Sequence, residues 1–109
     1  MKIAQHATND TLTLALDGEL DASSSVALDT ELTKPEVLEF RKVMIDCQRL
    51  NYISSAGLGV FISHLQRFQD AGVKLVFFNM QEKVHNVFEI LGLDSLMTIV
   101  PTEQEATAV

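Results

Sequence analysis

Four side chains in this 109-residue sequence are of the types that perform nucleophilic or acid–base chemistry in company: Cys47, Ser54, Ser55 and His64. The two serines precede a helical pattern, as a nucleophilic serine does in hydrolases, but the G-x-S-x-G turn that exposes such a serine is absent. On one continuous helix the nine-residue step from Ser55 to His64 spans about 13 Å. A general base must lie about 3 Å from its nucleophile, so this pair does not form a catalytic couple. His6 and His85 stand in no motif, and three scattered histidines with one cysteine give no metal-ligand spacing. Cys47, near the end of an apolar run, reads as a buried, inert thiol. Gly57-Leu58-Gly59 is only a fragment of a phosphate-binding loop. Asp17, Glu19 and Asp21 lack calcium-loop spacing and read as solvated turn charges. The chemistry points away from an enzyme.

One segment remains unusual. Asn51 to Gly59 puts two hydroxyls at a strand-to-helix junction and follows them with Ala56, Gly57 and Gly59. Ser55 is placed to act as the N-cap, accepting a free backbone N–H. Glycine in a helix costs up to ~1 kcal/mol relative to alanine. Small residues there leave the helix start bare, so another backbone can approach. A phosphate on Ser55 would meet the positive end of the helix dipole and would block a docked partner through its charge of about −2.

The elements that must hold this junction follow from hydrophobic periodicity. Met1 to His6 reads as an edge strand, and Thr11 to Asp17 alternates with period two. The two are close enough to form a hairpin. Ser23, Ser24 or Ser25 can cap a short helix from Ser25 to about Thr33, which Lys34-Pro35 ends. Lys42–Cys47 and Val73–Phe78 are apolar runs suited to buried strands. Between them, Leu58, Phe61, Ile62, Leu65 and Phe68 form a helical stripe, with Ser63, His64, Gln66, Arg67 and Gln69 on the other side and Gly72 at the close. Val84, Val87, Phe88 and Leu91 form another stripe ended by Gly92, then Leu96–Val100 a last strand, and residues 101–109 a flexible tail. The order β-β-α-β-α-β-α-β predicts one compact α/β domain, a sheet with parallel pairs flanked by helices.

Composition narrows the field. Fifteen acids against eight bases give a formal charge of −7, which argues against nucleic acid or an anionic membrane surface as partner. A hydrophobic content of 47% excludes disorder. One cysteine permits no internal disulfide and fits a reducing, cytoplasmic setting; no apolar run approaches the ~20 residues of a membrane span, and residues 1–20 do not read as a signal peptide.

In several segments the sequence resembles the STAS domain family, specifically the single-domain anti-sigma factor antagonists of bacteria. They are Leu16-Asp17-Gly18-Glu19-Leu20-Asp21, Val43–Cys47, Leu50–Val60, Gly72–Phe77 and Val87–Leu93, spread over about residues 10–100. The resemblance implies a mixed β-sheet of about five strands flanked by helices. It also implies a phosphorylated serine at Ser55 and a partner-binding face of Asp21, Ser54, Ser55, Ala56, Gly57, Leu58 and Gly59. Ser54 stands where many members carry aspartate, which removes a negative charge beside the phosphosite. The implied function is a partner switch without a cofactor of its own. The unphosphorylated chain, a monomer, binds a serine kinase/anti-sigma factor of the histidine-kinase-like ATPase fold and releases that kinase's target. Phosphorylation of Ser55 abolishes binding, and a PP2C-type phosphatase restores it. Two other readings stay open: a constitutive STAS subunit of a transport ATPase complex, and a small-molecule-sensing STAS module.

Overall fold

The computed structural model describes residues 1–109. Two strands open the chain, β1 (Lys2–Thr8) and β2 (Thr11–Leu20), followed by helix α1 (Ser24–Thr33). After a 3-10 turn at Pro35–Glu39 come β3 (Lys42–Ile53), α2 (Ser55–Asp70), β4 (Lys74–Phe78) and α3 (Glu82–Ile90). A second 3-10 turn at Leu93–Ser95 leads to β5 (Thr98–Val100) and α4 (Glu103–Ala108). The sheet order is β1-β2-β3-β4-β5, identical to the chain order. Only β1–β2 is antiparallel, a hairpin turned through Asn9, whose left-handed φ of 54° suits asparagine. The other three pairs are parallel, each joined by a helical crossover. The strand–helix order read from the sequence therefore holds through β5.

Alternation along the strands decides which face is packed. Leu12, Leu14, Leu16 and Leu20 of β2, with Val43, Ile45 and Cys47 of β3 and Leu75 and Phe77 of β4, face α1, α2 and α3. Phe77 is the centre of this layer: Phe61 meets it edge-on at 4.8 Å between ring centroids, and Phe88 lies at 5.7 Å. Met44, Val76 and Phe78 point to the opposite face and pack with Ala106 of α4.

That last contact corrects the expectation of a loose tail over residues 101–109. Thr102 caps α4 by accepting the Glu105 N–H at 3.2 Å, and Ala106 is fully buried. Lys42 Nζ donates to the Ala106 and Thr107 carbonyls, both at 2.9 Å. Six residues with one buried alanine carry no hydrophobic periodicity, so only the Thr102-x-x-Glu105 capping pattern advertised the helix. Other boundaries differ: β1 runs Lys2–Thr8 rather than Met1–His6, and β5 begins at Thr98 rather than Leu96. β3 runs on to Ile53 rather than stopping at Cys47, β2 reaches Leu20, and α2 starts at Ser55. His64 also turns inward rather than outward: it is buried, with Nε2 2.8 Å from Asp29 Oδ1 on α1. Ile62, expected in the buried stripe, is 44% exposed.

Ending the chain at Thr102 uncovers Met44, Val76 and Phe78. Partial exposure of three such side chains is expected to lower stability by roughly 2–4 kcal/mol. A urea titration with a hydrophobic dye in parallel checks this, and an unchanged midpoint would show that α4 contributes no packing.

Candidate functional site

The carboxyl ends of β2 and β3 stop side by side, with Leu20 and Ile53 in register. One hydrogen bond ties the two exits together: Ser54 N–H donates to Leu20 O at 2.9 Å. From this seam α1 leaves through Asp21 and α2 through Ser54. The outer edge of parallel strands at their carboxyl ends is where α/β sheets present binding groups.

On the first exit, Asp21 acts as a knot. Its Oδ1 accepts the Ser23 and Ser24 N–H groups at 3.0 and 2.9 Å, covering the free donors at the start of α1. The Ser24 hydroxyl accepts the Asp21 N–H at 2.9 Å and lies 2.8 Å from Glu19 O and 3.0 Å from Asp21 Oδ1. The Ser24 backbone bond, then its hydroxyl, hold the Asp21 carboxyl below its ordinary value. The residues expected to cap α1 are therefore served by Asp21, and the Ser23 side chain makes no capping bond. Asp21 is a structural anchor here, where its spacing suggested a solvated turn charge and the family resemblance a member of the partner-binding face.

On the second exit the two serines divide the work, and the expected assignment of the cap is corrected by one residue. Ser54, not Ser55, is the N-cap: its backbone is extended, its hydroxyl accepts the Gly57 N–H at 3.2 Å, and its carbonyl accepts the Leu58 N–H at 3.0 Å. Serine and aspartate are nearly equal as N-caps. Ser54 therefore makes the bond an aspartate cap would make, without an aspartate's charge. Ser55 is the first helical residue and is exposed, and its hydroxyl takes part in none of the side-chain hydrogen bonds that bind the neighbouring Ser54 and Ser63. The N–H groups of such a first turn have no partners within the helix.

The small residues after Ser55 also have separate roles. A Cβ on Gly57 would lie 2.6 Å from Leu20 Cγ, 2.8 Å from its Cδ2 and 3.2 Å from Ile53 Cγ1. Gly57 is thus small because of the core, and Leu58 is buried beside it. Gly59 has open space around it, and Ala56 is exposed. The bare surface consists of Ser55, Ala56 and Gly59, extended by Ile62 on the same helical face seven residues after Ser55. Exposed Tyr52, 49% accessible, stands just before the junction. Sequence reasoning missed Ile62 and Tyr52 as surface groups, and a count of the polar face against Phe61 and Phe68 alone would have placed Ile62 outside.

The residues weighed for catalysis do not assemble. His64 bonds Asp29, His6 lies 2.8 Å from Thr8 Oγ1, and His85 pairs with Glu89 at 3.0 Å, so none bonds to either serine. Burial, then the Asp46 charge, push the Cys47 thiol far up, which keeps it protonated. No three His, Cys, Asp or Glu side chains converge as metal ligands. No helix is long and apolar enough to cross a membrane.

Against known proteins, the model of the STAS domain matches residues 2–106. The chain belongs to the STAS domain family. A Bordetella bronchiseptica protein with the provisional name anti-sigma factor antagonist BtrV is 30% identical over 108 residues, 99% of this chain and 93% of its own. The anti-sigma-B factor antagonist of Listeria monocytogenes is 29% identical over 96 residues, 88% of this chain and 84% of its own. In architecture the STAS fold here matches the anti-sigma factor antagonist SpoIIAA in its unphosphorylated form, with a TM-score of 0.75 at 14% identity over 98% and 94% of the two chains. The phosphorylated form of SpoIIAA from Bacillus gives 0.73 at 20% identity, over 98% and 97%. The five-stranded mixed sheet flanked by helices is the family's fold.

Two measurements follow from this geometry. In urea, Gly57→Ala is expected to destabilise by about 1–3 kcal/mol through overpacking against Leu20, and Ser54→Ala by about 1 kcal/mol through loss of the cap. Gly59→Ala should instead stabilise by up to ~1 kcal/mol; equal effects at both glycines would refute the distinction. For Asp21, the lowered folded pKa means its contribution is fully present above the unfolded value of about 3.9 and is lost as pH falls through the folded value. Asp21→Ala should therefore unfold at lower urea than wild type at pH 7, with the gap closing on acidification below about pH 4.

Proposed function

We propose that this STAS domain is an anti-sigma factor antagonist that works as a partner switch through Ser55. The observation that carries this reading is the division between the two serines. Ser54 spends its hydroxyl on the Gly57 N–H, while Ser55 is exposed at the positive end of α2 with its hydroxyl uncommitted. A kinase can therefore take Ser55 without dismantling the helix cap.

In the unphosphorylated state the face of Ser55, Ala56 and Gly59 docks against a serine kinase/anti-sigma factor of the histidine-kinase-like ATPase type, in the cytoplasm. Small side chains let the partner's backbone come close, and Ile62 and Tyr52 supply apolar surface at the margin. Gly57 and Leu58 support this face from beneath, and Asp21 with Ser54 fixes the directions in which α1 and α2 leave the sheet. Phosphorylation moves the γ-phosphoryl group of the kinase's ATP onto Ser55 Oγ. The hydroxyl proton passes to a base on the kinase and ADP departs. The new group, of charge about −2, is favoured at the helix start by the dipole and by its free N–H groups. The same charge and bulk separate the partners. A PP2C-type phosphatase hydrolyses the ester and restores docking.

This reading is supported by the relatives' names, and by the existence of SpoIIAA structures in both phosphorylated and unphosphorylated forms at similar TM-scores. A constitutive transporter subunit or a ligand sensor needs no free hydroxyl at this position.

Intact-mass analysis with fragment mapping of the chain from its native host tests the proposal, paired with binding to the cognate kinase. A single phosphate on Ser55 is expected, with partner affinity reduced more than a hundredfold, equivalent to ~3 kcal/mol. Ser55→Ala should bind constitutively and keep its stability within about 0.5 kcal/mol, because no bond is lost. A phosphate on Ser54, or none under any growth condition, would overturn the assignment.

A further inference from the structure

At the opposite end of the sheet lies an open cleft of about 820 Å³, lined almost wholly by polar side chains. One row of register partners crosses it on four strands: Thr8 opposite Thr11, Thr11 opposite Lys42, and Lys42 opposite Lys74. Register partners share a face of the sheet, and adjacent strands stand about 4.8 Å apart. Lys42 and Lys74 therefore rise from adjacent strands on one face of the sheet, where like charges repel.

Neither lysine belongs to an ion pair. Lys42 is only 9% exposed, yet its Nζ meets just two neutral carbonyls, those of Ala106 and Thr107. An ammonium has three donors, so one N–H is left over. Buried charges are ordinarily paired with an opposite charge. Neither Lys42 nor Lys74 has a carboxylate within ion-pair distance, although acids outnumber bases 15 to 8 along the chain. Of the cleft's two acidic side chains, Asp10 lies 3.8 Å from Arg41, and Glu103 pairs with neither lysine. A third cationic group, Arg41, thus stands at the rim.

We propose that this cleft binds a phosphate group, presented by a small molecule, over the Lys42–Lys74 pair. The two lysines, with Arg41 at the rim, offer more donors than the two oxygens of a carboxylate can occupy, while a phosphate accepts through three and carries more charge. The Thr11 hydroxyl already donates to Asp10 Oδ1 at 3.4 Å. The site differs from the α2 start in every residue and lies at the amino ends of β3 and β4 rather than at the carboxyl ends of β2 and β3. Occupancy would remove the repulsion between the lysines and fasten Lys42, and through it the end of α4.

The test uses the full chain, labelled with nitrogen-15 and titrated with inorganic phosphate against sodium chloride at equal ionic strength. Saturable amide shifts are expected at residues 8–11, 41–42 and 72–74 with phosphate only. Lys74→Glu supplies the missing carboxylate from within, so it should lose at least about tenfold in phosphate affinity while its thermal midpoint rises. Lys74→Gln should lose affinity without that rise. Lys74 is exposed, so neither variant disturbs the core. Shifts that match chloride, that persist in Lys74→Glu, or that fall only at residues 54–57 would overturn the proposal.

Discussion

Nothing larger than a hydrogen atom fits between the start of α2 and Leu20, and much of the molecule is arranged around that fact. With Gly57 pressed on Leu20 and Ile53, and Ser54 N–H bonded to Leu20 O, the helix can leave the sheet in one direction only. That direction lays Leu58, Phe61 and Phe68 on the strands and turns Ser55 to solvent. A helix started one residue later would exchange the roles of the two serines. The exposure of the site is thus a by-product of core packing, set by a backbone contact rather than by any polar interaction at the surface.

Apolar runs or alternation marked β2, β3 and β4, and apolar stripes marked α2 and α3, because each buries one face and so carries a period of two or 3.6. Helix α1 was legible from its serines and Lys34-Pro35 instead. The misreadings have local causes. The second half of β3 pairs only with β2, and register shifts between Ala15 and Asp17 and between Gly18 and Glu19 break the alternation there, so Gln48 to Tyr52 did not look like strand. His64 looked like a surface residue because its partner, Asp29, is 35 positions away on another helix, a distance no periodic pattern spans. The junction itself was legible as serines followed by small residues. Which serine caps, and which glycine faces inward, depended on the approach of Leu20, a residue nearly forty positions earlier. Such contacts exist only once the chain has folded.

The two ends of the sheet carry opposite chemistry. At the carboxyl ends of β2 and β3 the exposed groups of the docking face, Ser55, Ala56, Gly59, Tyr52 and Ile62, are uncharged, with the Asp21 carboxylate absorbed by backbone donors. At the amino ends of β3 and β4 the residues are cationic, and a buried lysine holds down the final helix. The helix-covered face between them is apolar and continuous. The faces of the sheet differ too: α1, α2 and α3 shield one, whereas six residues of α4 carry the burden on the other.

The coincidence of sheet order with chain order bears on how the molecule is made. During synthesis each strand emerges directly after the neighbour it must join, so the sheet grows by accretion from one border to the other. No interior slot has to be kept open for a late segment, and no loop has to be threaded. Once Phe78 has cleared the ribosome, four of the five strands and the aromatic pair Phe61–Phe77 are already available to pack. The three-residue β5 then finishes an edge, and α4 covers Met44, Val76 and Phe78, which wait on the far face until Ala106 reaches them.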